Sequence, residues 1–571
     1  MRTPSIHHAK WWLVCPLALL FQFETARAQI LNEAQKLLAS DGAEVDLFGN
    51  QSVSVSGDVI IVGAHGDDDN GSFSGSAYVF RRNGSVWVQE QKLLASDTAA
   101  NDRFGQDVSI SGDVALIGAM HNETGGISFG AAYVFRWNGS SWLEEQKLVA
   151  ADRAEDDQFG SSVSIDGDVA VVGAYLDDDN GISSGSAYVF RWNGSSWVQE
   201  QKLLPSDGAE SDEFGWSISL SGNVAVVGAE LDHESGSAYV FRWNGASWVE
   251  EQKLAAADGS PGDHFAFSVS VSENVILIGA PLDDDNGVWS GSAYIFHWNG
   301  ASWVQEQKLL DSDGGEEDIF GRSVSVSGDL AVVGIFASND NGVDSGSAYS
   351  FRWNGSSWMH EYKLLPTDGE DHDYFGASVA LSGNVAIVGT RGDDDNGALS
   401  GSAYVFYVAC DPGYYGQFCV PCPVGPANPC NGHGTCDDGP TGTGECTCYP
   451  GFGGSTCLPL PRGACCSNST CTYTTSDLCT NGATFTVGVR CQGLTACCLW
   501  DESCVDADAA CCKGQGGIPA DLGVLCDDEQ FPGCVPVIPT VSGWGLVVLT
   551  LLIMVGSKVA FRYRRAVDIR S

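Results

Sequence analysis

Between residues 29 and 409 the chain has no cysteine, so neither a disulfide nor a cysteine-bound metal stabilises that part. Basic residues are scarce throughout: 28 Lys and Arg stand against 73 Asp and Glu, which gives a formal net charge of -45. This balance argues against nucleic acid partners and favours cations, basic surfaces or solubility. Residues 29–409 also show no helical periodicity with caps, and no HExxH or P-loop motif occurs.

The cysteines that are present cluster at one end. One is Cys15, and the other 20 lie between Cys410 and Cys534. A dense, even set of cysteines in an exported chain is typical of a disulfide framework.

Export is predicted by residues 1–28. They combine a basic start, an apolar run and the small-residue triplet ARA, which is typical of a signal peptide cleaved before Gln29. An apolar buried helix is the alternative interpretation of this run.

One pattern recurs seven times, with the Phe of an FG pair marking each copy at a period of 51 to 56 residues. These are Phe48, Phe104, Phe159, Phe214, Phe265, Phe320 and Phe375. Each copy has four runs rich in β-branched and aromatic residues; in the third copy they are SSVSI (161–165), VAVVGA (169–174), SAYVF (186–190) and SWVQEQKLL (196–204). Turn signals such as DGD and Asn-Gly separate the runs, so each copy predicts a four-stranded antiparallel sheet.

Seven such sheets in tandem predict an all-β fold, a seven-bladed β-propeller over residues 29–409, because neighbouring sheets bury the faces that one sheet leaves exposed. The seventh copy ends after SAYVF at 402–406 without a fourth run, whereas ILNEAQKLLAS at 30–40 precedes the first copy and matches a fourth run. We therefore expect residues 33–39 to form the outer strand of the last blade and to close the ring.

The arrangement resembles the FG-GAP repeat proteins, which include the integrin α-subunit head, through FG at each blade start and VGA near the end of the second strand. The fifth copy has the full GAP (279–281) but reads FAF at 265–267. In integrin-type blades an Asp-rich loop between the first two strands usually holds calcium. Here that connection is as short as SGD or DGD, so the resemblance does not imply a calcium site there.

The sequence DDDNG recurs between the second and third strands at 67–71, 177–181, 283–287 and 393–397. Strand order places these loops on the same face as the blade-to-blade loops, each of which carries two aspartates five residues apart, such as Asp41 and Asp46. Because Asp and Asn supply the hard oxygen ligands that calcium prefers, the loops predict calcium ligands. The predicted ligands are Asp67, Asp69, Asn70, Asp177, Asp179, Asn180, Asp283, Asp285, Asn286, Asp393, Asp395 and Asn396. The alternative is ordinary turn chemistry, and the sevenfold aspartate pairs are expected to be structural.

The opposite face carries RWNGSSW or a variant in most blades, for example Trp137 with Trp142. Such aromatics around an Asn-Gly turn favour a cross-strand pair over a sugar-stacking site. Histidines such as His65, His121, His233, His264 and His372 share no register and are interpreted as solvated loop residues. Nothing singles out a pair of carboxylates for glycoside hydrolysis.

Residues 410–457 resemble an EGF-like region, with six cysteines from Cys422 onward and the segment YPGFGGSTC. The resemblance implies the disulfides Cys422 with Cys436, Cys430 with Cys446, and Cys448 with Cys457, and it implies Cys410 with Cys419 in a preceding half module. Residues 458–535 form a cysteine-rich stalk with two loose copies of a short unit, and their connectivity cannot be deduced.

Residues 536–571 contain IPTVSGWG, an apolar run and RYRR, and they resemble the IPTL-type C-terminal sorting signals of Gram-negative bacteria. The resemblance implies a sorting enzyme as a partner. The span 544–561 is also long enough for one transmembrane helix, with the basic cluster on the cytoplasmic side.

Together these features predict a surface protein whose propeller binds a protein or glycan ligand through an acidic face. The alternatives are an extracellular polysaccharide hydrolase that uses propeller carboxylates and a structural envelope protein.

Overall fold

The computed structural model describes residues 29–409, apart from 124 and 125, and short stretches between 414 and 519. Two short strands precede the first repeat: β1 (Gln29–Asn32) and β2 (Gln35–Leu37). Each of the first six repeats then forms one four-stranded antiparallel sheet, or blade, with strands in sequence order from the channel outward.

The strands of blades one to three are β3 (Val53–Ser56), β4 (Val59–Ala64), β5 (Ser76–Asn83), β6 (Val86–Leu93), β7 (Val108–Ser111), β8 (Val114–Ala119), β9 (Ala131–Trp137), β10 (Trp142–Leu148), β11 (Val163–Asp166), β12 (Val169–Ala174), β13 (Ser186–Trp192) and β14 (Trp197–Leu203). The strands of blades four and five are β15 (Phe214–Ser221), β16 (Val224–Ala229), β17 (Ser237–Trp243), β18 (Trp248–Leu254), β19 (Ser268–Ser272), β20 (Val275–Ala280), β21 (Ser292–Trp298) and β22 (Trp303–Leu309). The strands of blades six and seven are β23 (Phe320–Ser327), β24 (Leu330–Ile335), β25 (Ser347–Trp353), β26 (Trp358–Leu365), β27 (Phe375–Ser382), β28 (Val385–Thr390) and β29 (Ser402–Tyr407).

The N-terminal segment closes the ring as predicted. Strand β2 pairs antiparallel with β29, with Lys36 opposite Tyr404 and Leu37 opposite Ala403. Strand β1 adds a feature that the repeat pattern does not contain, since it pairs in parallel with β26 as a fifth strand of blade six. The segment therefore holds blade six and blade seven together.

The hydrophobic core lies between the blades. Seven clusters of buried side chains alternate with the seven sheets, and the second strand of each blade is almost wholly buried on both faces. The Phe of each FG pair lies in one such cluster; Phe104, for example, packs edge-on against Tyr133 with ring centroids 5.5 Å apart. Burying a side chain of this size contributes about 1.5–3 kcal/mol, so the repeated Phe stabilises every interface.

The glycine of FG is required by a close approach between blades. Gly105 has a φ of 86°, and a Cβ there would lie 2.1 Å from the Ser76 carbonyl oxygen. In the fifth blade Ala266 replaces this glycine and still adopts a left-handed φ of 70°, which keeps the loop conformation of the other blades.

The all-β prediction for the propeller is confirmed. Within the described residues of 29–409 the only helical element is the 3-10 turn Asp232–Glu234, and no helix in the described part of the chain is long and apolar enough to cross a membrane. The predicted span at 544–561, the sorting signal and the signal peptide all lie outside the described residues.

Beyond residue 410 the described stretches form short strands. These are Tyr414–Tyr415, Val420–Pro421, Gly434–Cys436, Cys446–Cys448, Phe452–Gly453, Leu458–Pro459, Arg462–Ser467, Thr470–Thr475, Thr484–Val487, Leu494–Cys498, Cys504–Asp508 and Ile518–Pro519. The last six make two three-stranded sheets of the same strand order, which agrees with two copies of one short unit.

Two implied disulfides are present, Cys430–Cys446 and Cys448–Cys457. Cys436 is also disulfide-bonded, while its predicted partner Cys422 lies outside the described residues. The predicted pair Cys410–Cys419 lies outside them as well.

Candidate functional site

We call the side of the propeller that carries the DDDNG loops the loop face. In the first blade, the DDDNG loop surrounds a lysine of the outer strand. Lys92 Nζ lies 2.7 Å from a carboxylate oxygen of Asp67, 2.7 Å from one of Asp69 and 3.0 Å from one of Asp41. The Tyr78 hydroxyl lies 2.9 Å from a carboxylate oxygen of Asp41 and 3.0 Å from one of Asp67, so it can donate to either. We name this arrangement a lysine cluster.

The other three DDDNG loops repeat it. The nitrogen–oxygen distances are 3.0, 2.9 and 2.6 Å from Lys202 to Asp152, Asp177 and Asp179; 3.0, 2.8 and 2.5 Å from Lys308 to Asp258, Asp283 and Asp285; and 2.9, 2.5 and 2.7 Å from Lys36 to Asp368, Asp393 and Asp395. Burial lowers the pKa of Lys92, but the hydrogen bonds that its ammonium donates to the aspartates outweigh this effect, so the net pKa lies above its ordinary value.

The structure thus brings the first and third aspartates of each loop together, as a metal site requires, but an ammonium group lies between them. The first aspartate is buried, and the third is more than half exposed in all four loops. The side-chain amides of Asn286 and Asn396 donate to backbone carbonyls. The side chains of Asn70 and Asn180 accept no hydrogen bond from the lysine of their cluster. Calcium binding stays a prediction, and a calcium ion at these oxygens would compete with the lysine.

The blades without DDDNG keep the lysine and alter its partners. In blade two Lys147 contacts Asp97 at 2.6 Å and the neutral Asn122 at 2.7 Å. In blade four the lysine retains two aspartates at 2.7 and 2.5 Å. In blade six Ser338 takes the place of the first aspartate, and a buried acid absent from the other blades, Asp311, precedes the cluster.

Sequence reasoning missed the lysine and the tyrosine of these clusters. The signal was present, because a Lys recurs in every outer strand and a Tyr in every third strand. They are Lys36, Lys92, Lys147, Lys202, Lys253, Lys308 and Lys363, with Tyr78, Tyr133, Tyr188, Tyr239, Tyr294, Tyr349 and Tyr404.

The second aspartate of each blade-to-blade pair has a backbone role. Asp46 is 3% exposed, and its carboxylate accepts the Ala43 N–H at 2.7 Å. Burial raises the pKa of Asp46 to about 6. The equivalent hydrogen bond forms in all seven blades, in agreement with the expected structural role.

On the opposite face the tryptophans form cross-strand pairs, as favoured from the sequence. The Trp137 and Trp142 ring centroids are 5.9 Å apart, and Trp142 is 1% exposed with its Nε1 donating to Glu90 at 3.0 Å. The Asn138 side chain accepts the Ser140 N–H at 2.9 Å and so stabilises the turn.

The innermost strands surround an axial channel, a cavity of about 600 Å³. In every blade but the second, a serine at the start of the first strand hydrogen-bonds to the next blade. Ser162, for example, donates to the Gly215 carbonyl at 2.7 Å. Blade two differs: Asp107 occupies the serine position and accepts hydrogen bonds from Ser52 Oγ at 2.5 Å and the Val163 N–H at 2.6 Å. Burial raises the pKa of Asp107 to about 6.

At the loop-face end of this channel, which we call the mouth, three positions in each blade vary while the flanking motifs repeat. Immediately before the FG Phe stand Leu47, Arg103, Gln158, Glu213, His264, Ile319 and Tyr374, all with φ between 54° and 62°. Two residues after that Phe stand Gln106, Ser161, Trp216, Phe267, Arg322 and Ala377, with Asn50 and Gln51 in the first blade, which is one residue longer. After the second strand stand His65, Met120, Tyr175, Glu230, Pro281, Phe336 and Arg391.

Neighbouring mouth residues touch in a chain that runs from blade three to blade seven. The ring centroids of Tyr175 and Trp216 are 5.0 Å apart, and those of Trp216 and Phe267 are 5.6 Å apart. The Arg322 guanidinium lies 5.5 Å from the Phe267 ring centroid and 4.3 Å from that of Phe336. Aromatic rings therefore form one wall of the mouth.

The charged mouth residues fall into two groups. Arg103, Arg322 and Arg391 form no ion pair with any residue that the structure describes, although their charges are close enough to depress neighbouring pKa values. Burial, together with Arg103 and Arg391, lowers the pKa of His65 to about 4. His65 is 6% exposed, so its interpretation as a solvated loop residue was wrong, whereas exposed side chains at His233 and His372 confirm it there.

The second charged group lies in blades four and five. Burial and the nearby Glu230 raise the pKa of Glu213 to about 7. Glu230 is 5% exposed and lies 3.2 Å from His264 Nδ1, and this hydrogen bond raises the pKa of His264. The mouth thus holds one carboxyl group that titrates near neutrality.

One loop also matches the GxSxG pattern of serine hydrolases, Gly181–Gly185, with Ser183 at the nucleophile position. Ser183 has a φ of 53°, but Phe73, Trp289 and Leu399 occupy the same turn in other blades with φ between 53° and 57°. The strained turn is therefore a property of the repeat and not of a nucleophile.

These sheets and their closure define the chain between 29 and 409 as a seven-bladed β-propeller. The FG-GAP repeat family model matches residues 31–80, 87–135, 142–190, 197–241, 248–296, 303–351 and 358–406, more than half of the chain. The protein belongs to the FG-GAP repeat family.

Among curated proteins, mouse Stabilin-1 is 62% identical over 40 residues and human Stabilin-1 58% identical over 40 residues. These matches cover 7% of this chain, which spans only 2% of either stabilin.

Among solved structures, a putative 6-phosphogluconolactonase from Bacteroides fragilis aligns at a TM-score of 0.38 and 11% identity, over 56% of this chain and 85% of that one. The β-propeller domain of the Trilobed protease from Pyrococcus furiosus aligns at 0.36 and 9%, over 60% and 91%.

Proposed function

We propose that the protein is an exported, surface-located binding or adhesion module that engages its ligand at the mouth of the propeller. The observation that carries this proposal is the distribution of variation: the lysine clusters, FG loops and serine contacts repeat around the ring, whereas three positions per blade at the mouth do not. A single ligand requires a surface that breaks sevenfold symmetry.

The rest of the chain supports display of this surface. The predicted signal peptide exports the propeller, and the EGF-like region and cysteine-rich stalk separate it from the C-terminal segment. That segment anchors it to the membrane, at least until a sorting enzyme acts. Weak calcium binding by the DDDNG loops is part of this proposal.

The proposal is tested by presenting the purified full chain to arrays of glycans and matrix proteins. Saturable binding that is lost on substituting mouth residues, but kept on substituting the cross-strand tryptophan face, supports it. Binding to nothing on the arrays, or binding insensitive to the mouth, supports the structural envelope protein instead.

An extracellular polysaccharide hydrolase is the second candidate, and Glu213 favours it. A carboxyl group with a pKa of about 7 beside a second carboxylate has the properties of a general acid. Glu213→Gln would then abolish turnover of a polysaccharide and leave its binding intact, whereas the binding module has no turnover to lose.

A further inference from the structure

The Arg322 guanidinium is a largely buried cation of the propeller that lacks an ion pair with any described residue. Its Nε is buried without a hydrogen-bond partner, and no carboxylate among the described residues pairs with it. The arginines of the third strands differ: Arg81, Arg136, Arg191, Arg242 and Arg352 each pair with a glutamate of the adjacent strand at 2.7–2.9 Å. An unpaired guanidinium is unexpected in a chain with a net charge of -45.

The surroundings of Arg322 indicate which ligand group would pair with its guanidinium. Phe267 and Phe336 lie beside the guanidinium of Arg322, which lines the channel, and Trp216 extends the aromatic wall. Burial and the charge of Arg391 lower the pKa of Arg322 to about 10, so it stays protonated at neutral pH. The planar fork of a guanidinium matches a carboxylate in bidentate geometry.

The carboxylates around Arg322 already have partners. The charge of Glu230 acts on Arg322, but the Glu230 carboxylate lies 3.2 Å from His264 Nδ1, and Asp107 lines the channel. Asp107 accepts hydrogen bonds from Ser52, Val108 and Val163, so its oxygens are already satisfied within blades one to three. The channel volume of about 600 Å³ suits a small ligand, since such pockets measure roughly 300–1,000 Å³.

This inference rests on the proposed function. We propose that the mouth binds a ring that bears a carboxylate, with the carboxylate bound to Arg322 and the ring packed against Trp216 and Phe267. A uronic acid residue of a glycan and a free aromatic acid share this chemistry. Both present a flat or apolar ring face to an aromatic wall and an anion to the guanidinium.

The test is calorimetric titration of the full chain with glucuronate, glucose and benzoate. We expect glucuronate or benzoate to bind and glucose to bind at least tenfold more weakly, because it lacks the anion. Arg322→Gln should weaken the anion by about tenfold to a hundredfold, the loss expected for a charge-assisted hydrogen bond. Binding of glucuronate over benzoate assigns the site to acidic glycans, and the reverse assigns it to aromatic acids.

The matched control is Arg352→Gln, which removes an arginine of the same blade that is paired with Glu361 at 2.8 Å, away from the channel. It should leave the affinity unchanged. Trp216→Phe keeps an aromatic face and should retain binding but remove most of the ligand-induced change in tryptophan fluorescence.

Equal binding of glucose and glucuronate, no binding of either anion, or an Arg322→Gln variant that folds and binds as the original does would overturn the inference. The array experiment separates this failure from failure of the proposed function. Ligand capture that depends on the mouth but persists in Arg322→Gln refutes the carboxylate site and leaves the binding module standing.

Discussion

Replacing Lys92 by methionine tests whether the lysine clusters stabilise the blades. The substitution keeps the apolar stem and removes the ammonium that contacts Asp41, Asp67 and Asp69. Asp67 has a side-chain exposure of 4%, so its charge would be left buried with the Tyr78 hydroxyl and the Asp69 N–H as close donors but no cation.

The expected loss in unfolding free energy follows from how exposed each of the three aspartates around Lys92 is. Stranding a buried charge costs about 3–5 kcal/mol. The Tyr78 hydrogen bond reduces this loss, and the two other aspartates are 46% and 57% exposed and add little. We therefore expect Lys92→Met to cost about 2–4 kcal/mol. That corresponds to a thermal midpoint about 2–4 °C lower, because the unfolding entropy of so long a domain is large.

The second blade supplies a matched control. Lys147→Met removes the same ammonium, but the buried partner there is the neutral Asn122, and Asp97 is 49% exposed. Only about 1 kcal/mol should be lost, as for an exposed ion pair. The double variant Lys92→Met, Asp67→Asn, which copies the neutral residue of blade two, should recover most of the deficit.

Differential scanning calorimetry of the full chain at neutral pH and again in acid measures these differences. The deficit of Lys92→Met should shrink in acid, since protonation of the stranded carboxyl removes the unpaired charge. Equal midpoints for the two lysine variants, or a double variant no more stable than Lys92→Met, would refute the argument that the buried charge causes the loss.

Three further predictions follow from the same contacts. Burial raises the pKa values of Asp46, Asp107 and Asp373 to about 6, above their unfolded values, so stability should rise as pH falls from 7 to about 5; thermal midpoints that stay flat over this range would contradict it. Paired cysteines at Leu37 and Ala403, which face each other across the closing strands, should crosslink spontaneously and be found by peptide mapping, whereas a free N-terminal segment would leave them unlinked. Calcium should bind the DDDNG loops with a dissociation constant on the order of 10⁻³ M, because it competes with lysine, and no heat on titration at that concentration would remove the calcium proposal.

The repeat pattern was sufficient to predict the blades and the closing strand because both depend on local alternation and on counting. The fifth strand of blade six was not predictable in this way. Residues 29–32 pair in parallel with β26, whereas the strands of the repeat pair only antiparallel, so the repeat pattern contains no counterpart of this strand. The DDDNG loops were interpreted by composition alone, and composition does not show which cation faces a carboxylate. That answer lies in Lys92, 23 residues from Asp69 in the chain and 2.7 Å from it in space.

The mouth was missed for the opposite reason. Residues that recur in every blade build the scaffold, whereas a site for one ligand depends on residues that differ between blades. Aligning the seven copies and looking for positions of maximal variation beside invariant ones would have selected Trp216, Phe267 and Arg322 without a structure.

The resulting charge arrangement differs from the acidic mouth that the sequence predicts. The aspartates do gather on the loop face, but seven lysines lie among them, and the mouth holds three arginines that form no ion pair with any described residue. The buried first aspartate of each DDDNG loop is paired with a lysine of its own blade. The repeated clusters therefore neutralise buried carboxylates within each blade, whereas the mouth arginines form no ion pair with any described residue, and the proposed carboxylate site depends on that difference.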